Sequence, residues 1–129
     1  MQAAGQVVLV VDDHRDTADV VSEVLEIDGF VVHTAYSALD ALRFYDALKP
    51  WLVITDESLT GSVTGSDLLR TLRRKYGEEA VGRALFLTGA PEQVTALPTD
   101  LVLEKPVGCD TLLAAVHTLL GPPAARKAH

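Results

Sequence analysis

Cysteine is nearly missing. Cys109 stands alone in 129 residues, which excludes an internal disulfide and a multi-cysteine metal site and fits a reducing cytoplasm. Positive charge is also scarce: 11 Lys and Arg face 18 Asp and Glu, for a formal net charge of -7. That balance argues against direct nucleic acid binding, because gripping phosphates needs a net basic face. Long hydrophobic runs are absent too. The longest are strand-length, so no membrane insertion is expected. The opening Met1-Gln2-Ala3-Ala4-Gly5-Gln6 lacks the basic start of a secretion signal. What is plentiful excludes disorder and fibrous repeats: 48% of residues are hydrophobic and 22% charged, enough for a single domain of this length to build a core.

The order of the apolar runs gives the architecture. Val7 to Val11 is an unbroken apolar stretch ended by Asp12-Asp13, the pattern of a strand covered on both faces in a parallel sheet. Asp13 or Asp16 is positioned to cap the helix that follows. This helix carries Ala18, Val21 and Leu25, with Val20, Val24 and Ile27 beside them, up to the break at Asp28-Gly29. Phe30 to Tyr36 reads as the second strand. Ser37 and Asp40 suggest a capping box for a helix with Leu39, Leu42, Tyr45 and Leu48 inward, stopped by Pro50. Leu52 to Thr55 is the third strand and ends on Asp56. After a Gly/Ser/Thr-rich loop, Ser66 is expected to cap a third helix with Leu68, Leu69 and Leu72 on its apolar side. Ala84 to Leu87 and Leu101 to Leu103 are the remaining strands, ending at Thr88-Gly89 and Glu104-Lys105-Pro106. Cys109 is expected to pack or weakly cap the last helix, which Gly121-Pro122-Pro123 stops.

Strands alternating with helices predict an α/β sandwich around a parallel sheet. The step from Thr88 to Lys105 is short and holds Pro91 and Pro98. Any fourth helix is therefore confined to about Glu92–Leu97 and is expected to be reduced or absent.

Every expected strand but the second ends, at its carboxyl side, on a residue with chemistry: Asp12/Asp13, Asp56, Thr88 or Lys105. Open α/β sheets bind ligands beyond the carboxyl ends, where strand order reverses; in the order 2-1-3-4-5 that point lies between strands one and three. Asp12, Asp13 and Asp56 are then neighbours. Clustered carboxylates repel and call for a cation, and an all-oxygen donor set favours Mg²⁺. One carboxylate beside such an ion can act as a nucleophile toward a phosphoryl group.

The run Val8-Leu9-Val10-Val11-Asp12-Asp13, Pro50 ahead of Asp56, Phe86-Leu87-Thr88-Gly89 and Glu104-Lys105-Pro106 together resemble the response-regulator receiver domain of two-component signalling. The resemblance spans roughly Val7 to Leu120 and implies a flavodoxin-like (βα)5 three-layer sandwich. It divides the chain into a tail at 1–6, a receiver domain at 7–121 and a tail or linker at 122–129. It implies Asp56 as phosphoacceptor, supplied by a sensor histidine kinase or phosphotransfer domain. It also implies Mg²⁺ held by Asp12, Asp13, Asp56 and the Ser58 backbone carbonyl, Thr88 and Lys105 as groups meeting the phosphoryl oxygens, and a cis Lys105-Pro106 bond. Gly65 resembles the glycine that closes the loop after the acceptor strand. Such a domain is no enzyme beyond assisting its own phosphorylation and dephosphorylation, and any output lies on another polypeptide or beyond this stretch of chain.

Two positions and one element depart from the family pattern. Val102 occupies the place of the usual aromatic switch residue, Thr60 replaces a common proline, and the fourth helix is cut short. The departures resemble a subset of receivers with a Phe-x-Thr-Gly strand end. Two alternatives stay open at the level of sequence: a small haloacid-dehalogenase-like phosphatase, whose general acid is replaced here by Ser58, and a degenerate receiver acting as a phosphorylation-independent scaffold. Arg70, Arg73, Arg74 and Lys75 read as a solvated basic face of the third helix. The four histidines show no ligand spacing and read as unrelated to the site; His14, directly after the acid pair, is placed at its rim without a role.

Overall fold

A computed structural model of the chain describes residues 7–78, 81 and 83–120; the tails expected at 1–6 and 122–129 and the Gly121-Pro122-Pro123 stop lie outside the described residues. Val7–Val11 (β1), Leu52–Thr55 (β3) and Ala84–Thr88 (β4) are buried along their whole lengths. Their continuous apolar character follows from having cover on both faces. Val31–Ala35 (β2) and Leu101–Glu104 (β5) form the more exposed edges of a five-stranded parallel sheet in the order β2-β1-β3-β4-β5.

Alternation along each strand splits the core into two layers. Val8, Val10, Ile54, Leu85 and Leu87 pack with Ala18 and Leu25 of helix Arg15–Ile27 (α1) and with Leu112, Val116 and Leu119 of helix Cys109–Leu120 (α4). Leu9, Val11, Val53 and Phe86 pack with Ala41 and Tyr45 of helix Ala38–Leu48 (α2) and with Leu68, Leu69 and Leu72 of helix Gly65–Tyr76 (α3). The result is the expected three-layer sandwich. Between β4 and β5 the described chain holds only a short 3₁₀ turn, Pro91–Gln93, because Pro91 and Pro98 leave too little room for a helix.

The helix faces and caps differ in detail from the sequence pattern. Val20, Ile27 and Leu39 are exposed, since each helix contacts the sheet along one narrow stripe. The Asp13 and Asp16 side chains do not cap α1: His14 holds the N-cap position without a side-chain bond. For α3, Thr64 rather than Ser66 is the cap, forming a reciprocal capping box with Asp67. Cys109 opens α4 but is exposed rather than packed.

Candidate functional site

The parallel register determines which strand ends meet. Val11 pairs with Ala35 on one side and with Thr55 on the other, so Asp12 and Asp56 leave adjacent strands side by side. One ligand atom from each of Asp12, Asp13, His14 and Asp56 falls within a group spanning no more than 4.8 Å. Asp12 and Asp56 are buried. Lys105 Nζ donates to Asp12 Oδ2 and to Asp56 Oδ2, both at 3.2 Å. Burial alone lowers the pKa of this ammonium, but the attraction of Asp12 and Asp56 together outweighs it and holds Lys105 above its ordinary value. Lys105 is therefore a fixed positive charge across the physiological range.

One ammonium does not answer three carboxylates. Asp12 Oδ1 accepts from the His14 amide at 3.0 Å, Asp56 Oδ1 from the Ser58 amide at 3.3 Å, and Asp13 Oδ2 from the Thr60 hydroxyl at 2.8 Å. Asp13 Oδ1 is buried without a hydrogen-bond partner among the described residues. An orphaned buried carboxylate oxygen is costly unless a cation completes it. The donor set consists of oxygens from three carboxylates, so these residues fit a hard divalent ion that keeps part of its water.

The loop after β3 brings Ser58 to this cluster and is closed at its base by the Gly65 amide donating to the Glu57 carbonyl at 2.8 Å. A Cβ on Gly65 would lie 2.2 Å from the Asp56 carbonyl oxygen. Because the obstruction is backbone, it cannot swing aside. Gly65→Ala is expected to lower stability by about 2 kcal/mol, the cost of overpacking, as read by urea unfolding. An unchanged midpoint would contradict the close approach.

Thr88 ends β4 fully buried, and its Oγ1 accepts from the Ala90 amide at 3.0 Å. The Thr88 carbonyl accepts from the Lys105 amide at 2.8 Å, and the Lys105-Pro106 bond is cis. The structure thus joins Asp12, Asp13, Asp56, Ser58 and Lys105 directly, while Thr88 is linked to Lys105 through the backbone. Sequence reasoning missed one participant: Thr60 stands out in the sequence only for replacing a common proline, yet its hydroxyl binds Asp13. His14 Nδ1 lies 3.3 Å from Asp13 Oδ1, which puts His14 at the rim of the site, where its place directly after the acid pair pointed.

The family profile of the response regulator receiver domain matches residues 8–117. The chain belongs to that family. This receiver is 35% identical over 120 residues to a Haloferax volcanii protein whose name assigns it provisionally to transcriptional regulators, covering 92% of this chain and 20% of that protein. It is 31% identical over 120 residues to the nitrogen assimilation regulatory protein NtrX of Azorhizobium caulinodans, covering 88% of this chain and 26% of the relative. The chain thus spans about a fifth to a quarter of the length of these curated relatives. The crystal structure of the NtrX receiver domain from Brucella abortus superposes with a TM-score of 0.74 at 27% identity, covering 88% of this chain and 97% of that one. Receivers are signalling domains rather than conventional enzymes, so the family match sets aside the dehalogenase-like phosphatase reading. Among the described residues no helix is long and apolar enough to cross a membrane.

Proposed function

We propose that this receiver takes a phosphoryl group onto Asp56 from a phosphohistidine of a sensor histidine kinase or phosphotransfer domain in the cytoplasm, and that the change alters contacts with an output partner. The observation that carries the reading is the Asp13 Oδ1 left without a hydrogen bond among the described residues, in a cluster of three acids, two of them buried, facing one lysine. Asp12, Asp13, Asp56 and the Ser58 carbonyl are the groups proposed to hold Mg²⁺, which when bound neutralises phosphoryl charge. A carboxylate oxygen of Asp56 forms the new P–O bond as the P–N bond breaks, and the imidazole nitrogen leaves with the electron pair and takes a proton from water. Lys105 balances charge on the phosphoryl oxygens. The Thr88 hydroxyl accepts from Ala90 and donates to no group among the described residues, leaving its proton for one of those oxygens.

An acyl-phosphate donor with Mg²⁺, followed by intact mass, tests the proposal. The expected result is one phosphoryl mass gain, absent when EDTA is present before the donor is added. No gain at saturating donor would overturn it.

The kinase-facing surface has a candidate place. A cavity of about 570 Å³ beside the site is lined by α1, through Val20 and Val21 with the polar Asp16 and Thr17, and by Leu87, Lys105, Pro106 and Val107. Exposed Val20 and the apolar wall suit a helix bearing the phosphohistidine, because a partner seated there reaches Asp56 past Lys105. Val20→Asp is expected to slow transfer from a cognate kinase about tenfold, as loss of an apolar anchor does. Phosphorylation by the small donor should stay unchanged. Equal transfer by both proteins would place the kinase elsewhere.

A further inference from the structure

The region vacated by the missing helix is a basic pocket in an acidic protein. A cavity of about 290 Å³ opens between α3 and the segment before β5, lined by Ser66, Arg70, Arg73, Arg74, Thr95 and Leu97 together with the acidic Glu78. The arginines are not equivalent. Arg73 is committed to Asp100 at 2.7 Å, with its side chain 9% exposed. Arg70 pairs with Asp67 at 2.8 Å, but both side chains are roughly half exposed, and such pairs exchange partners at little cost. Arg74 is exposed and makes no ion pair among the described residues. Two arginines are thus available to an incoming anion, and guanidinium groups match carboxylates in bidentate geometry.

The same pocket is wired to the phosphoacceptor. Glu57 follows Asp56 directly and is buried, 4% exposed. Its Oε1 accepts from both the amide and the hydroxyl of Ser66 at 2.8 Å. Ser66 Oγ in turn accepts from the Thr95 amide at 2.8 Å. A continuous chain of hydrogen bonds therefore runs from the residue beside Asp56, through the first turn of α3, to the far wall of the pocket. Val102 packs against the core at the position where receivers usually carry a moving aromatic ring. The Glu57–Ser66–Thr95 chain offers a polar route in its stead.

We propose that this pocket docks an acidic segment of a partner protein, and that the state of Asp56 sets its affinity through Glu57 and Ser66. The coupling rests on phosphorylation at Asp56; the docking does not. Carboxylate side chains are favoured over phosphates as the occupant, because Glu78 in the lining opposes a dianion more strongly than a single carboxylate. If Asp56 biases the pocket, occupancy of the pocket biases Asp56 by the same factor.

The test uses amide NMR with a Glu-rich peptide, a Lys-rich peptide and inorganic phosphate as probes. The Glu-rich peptide should shift Thr95 and Leu97, and the double variant Arg70→Ser/Arg74→Ser should weaken it about tenfold while leaving the phosphoryl mass gain at Asp56 intact. Silence with the Glu-rich peptide, or an equal response to the Lys-rich peptide or to phosphate, overturns the docking. Beryllofluoride with Mg²⁺, as a phosphoryl mimic, should change peptide affinity at least about fivefold. Ser66→Ala, and independently Thr95→Pro at an exposed position, should remove that difference. A difference that survives both variants, or its absence in the native chain, overturns the coupling. Failure of the phosphoacceptor reading shows separately, as no mass gain at Asp56.

Discussion

Asp56→Asn is expected to abolish the phosphoryl mass gain completely, with the fold intact. The substitution is nearly isosteric, and an amide oxygen can still accept from the Ser58 amide, so the loop after β3 keeps its anchor. What disappears is the charged nucleophile. A carboxamide oxygen neither attacks phosphorus at a useful rate nor completes the acidic cluster, and no other carboxylate substitutes for it. Asp12 holds two hydrogen bonds, to the His14 amide and to Lys105. Asp13 is engaged by Thr60 through one oxygen, and its other is the orphan that fits a cation. Intact mass after donor treatment measures the outcome, and hydroxylamine should discharge the adduct in the native chain, as it does acyl phosphates. A gain that persists in Asp56→Asn would move the acceptor to another residue. A native adduct resistant to hydroxylamine would exclude an acyl phosphate altogether.

The parts of this receiver that depend on short stretches of chain were legible before the structure. The unbroken apolar runs of β1, β3 and β4 can be read because central parallel strands need cover on both faces. The acids and Lys105 at their ends follow, because a parallel sheet presents all its carboxyl ends together. The reduced helix between β4 and β5 follows from two prolines in a short segment. Other features depend on who the neighbour is, which no local pattern encodes. Thr64 rather than Ser66 caps α3, because the helix already starts at Gly65, and the Ser66 hydroxyl inside its first turn binds Glu57 instead. Thr60 reaches Asp13 only because the loop folds back over the site. Arg73 reads as one of a run of solvated cations, yet alone of the run it turns inward, because the absent helix leaves Asp100 within reach.

That inward turn leads to the largest stability effect expected away from the site. Asp100 has a fully buried side chain and receives Arg73 and the Ala84 amide on Oδ1, at 2.7 and 2.8 Å, and the Leu97 amide on Oδ2, at 2.8 Å. It therefore fastens α3, the start of β4 and the irregular segment to one carboxylate, doing the work that packing of a full helix would otherwise do. Arg73 also donates to the Val81 carbonyl at 3.0 Å. Arg73→Met keeps much of the apolar stem but leaves a buried anion without its cation, which costs about 3–5 kcal/mol. Asp100→Asn should cost a comparable amount. Its single amide oxygen can accept from only one of the Ala84 and Leu97 amides while its NH₂ faces the other, and Arg73 loses its counter-charge. The double variant Arg73→Met/Asp100→Asn should recover part of the loss, because it removes the uncompensated charge itself. Urea unfolding of the four proteins gives the coupling. Amide exchange should report where the loss falls, with Leu97 and Ala84 opening earlier in Arg73→Met than β1. Simple additivity of the two substitutions would mean that the ion pair is incidental and that the hydrogen bonds to Asp100 alone hold the segment in place.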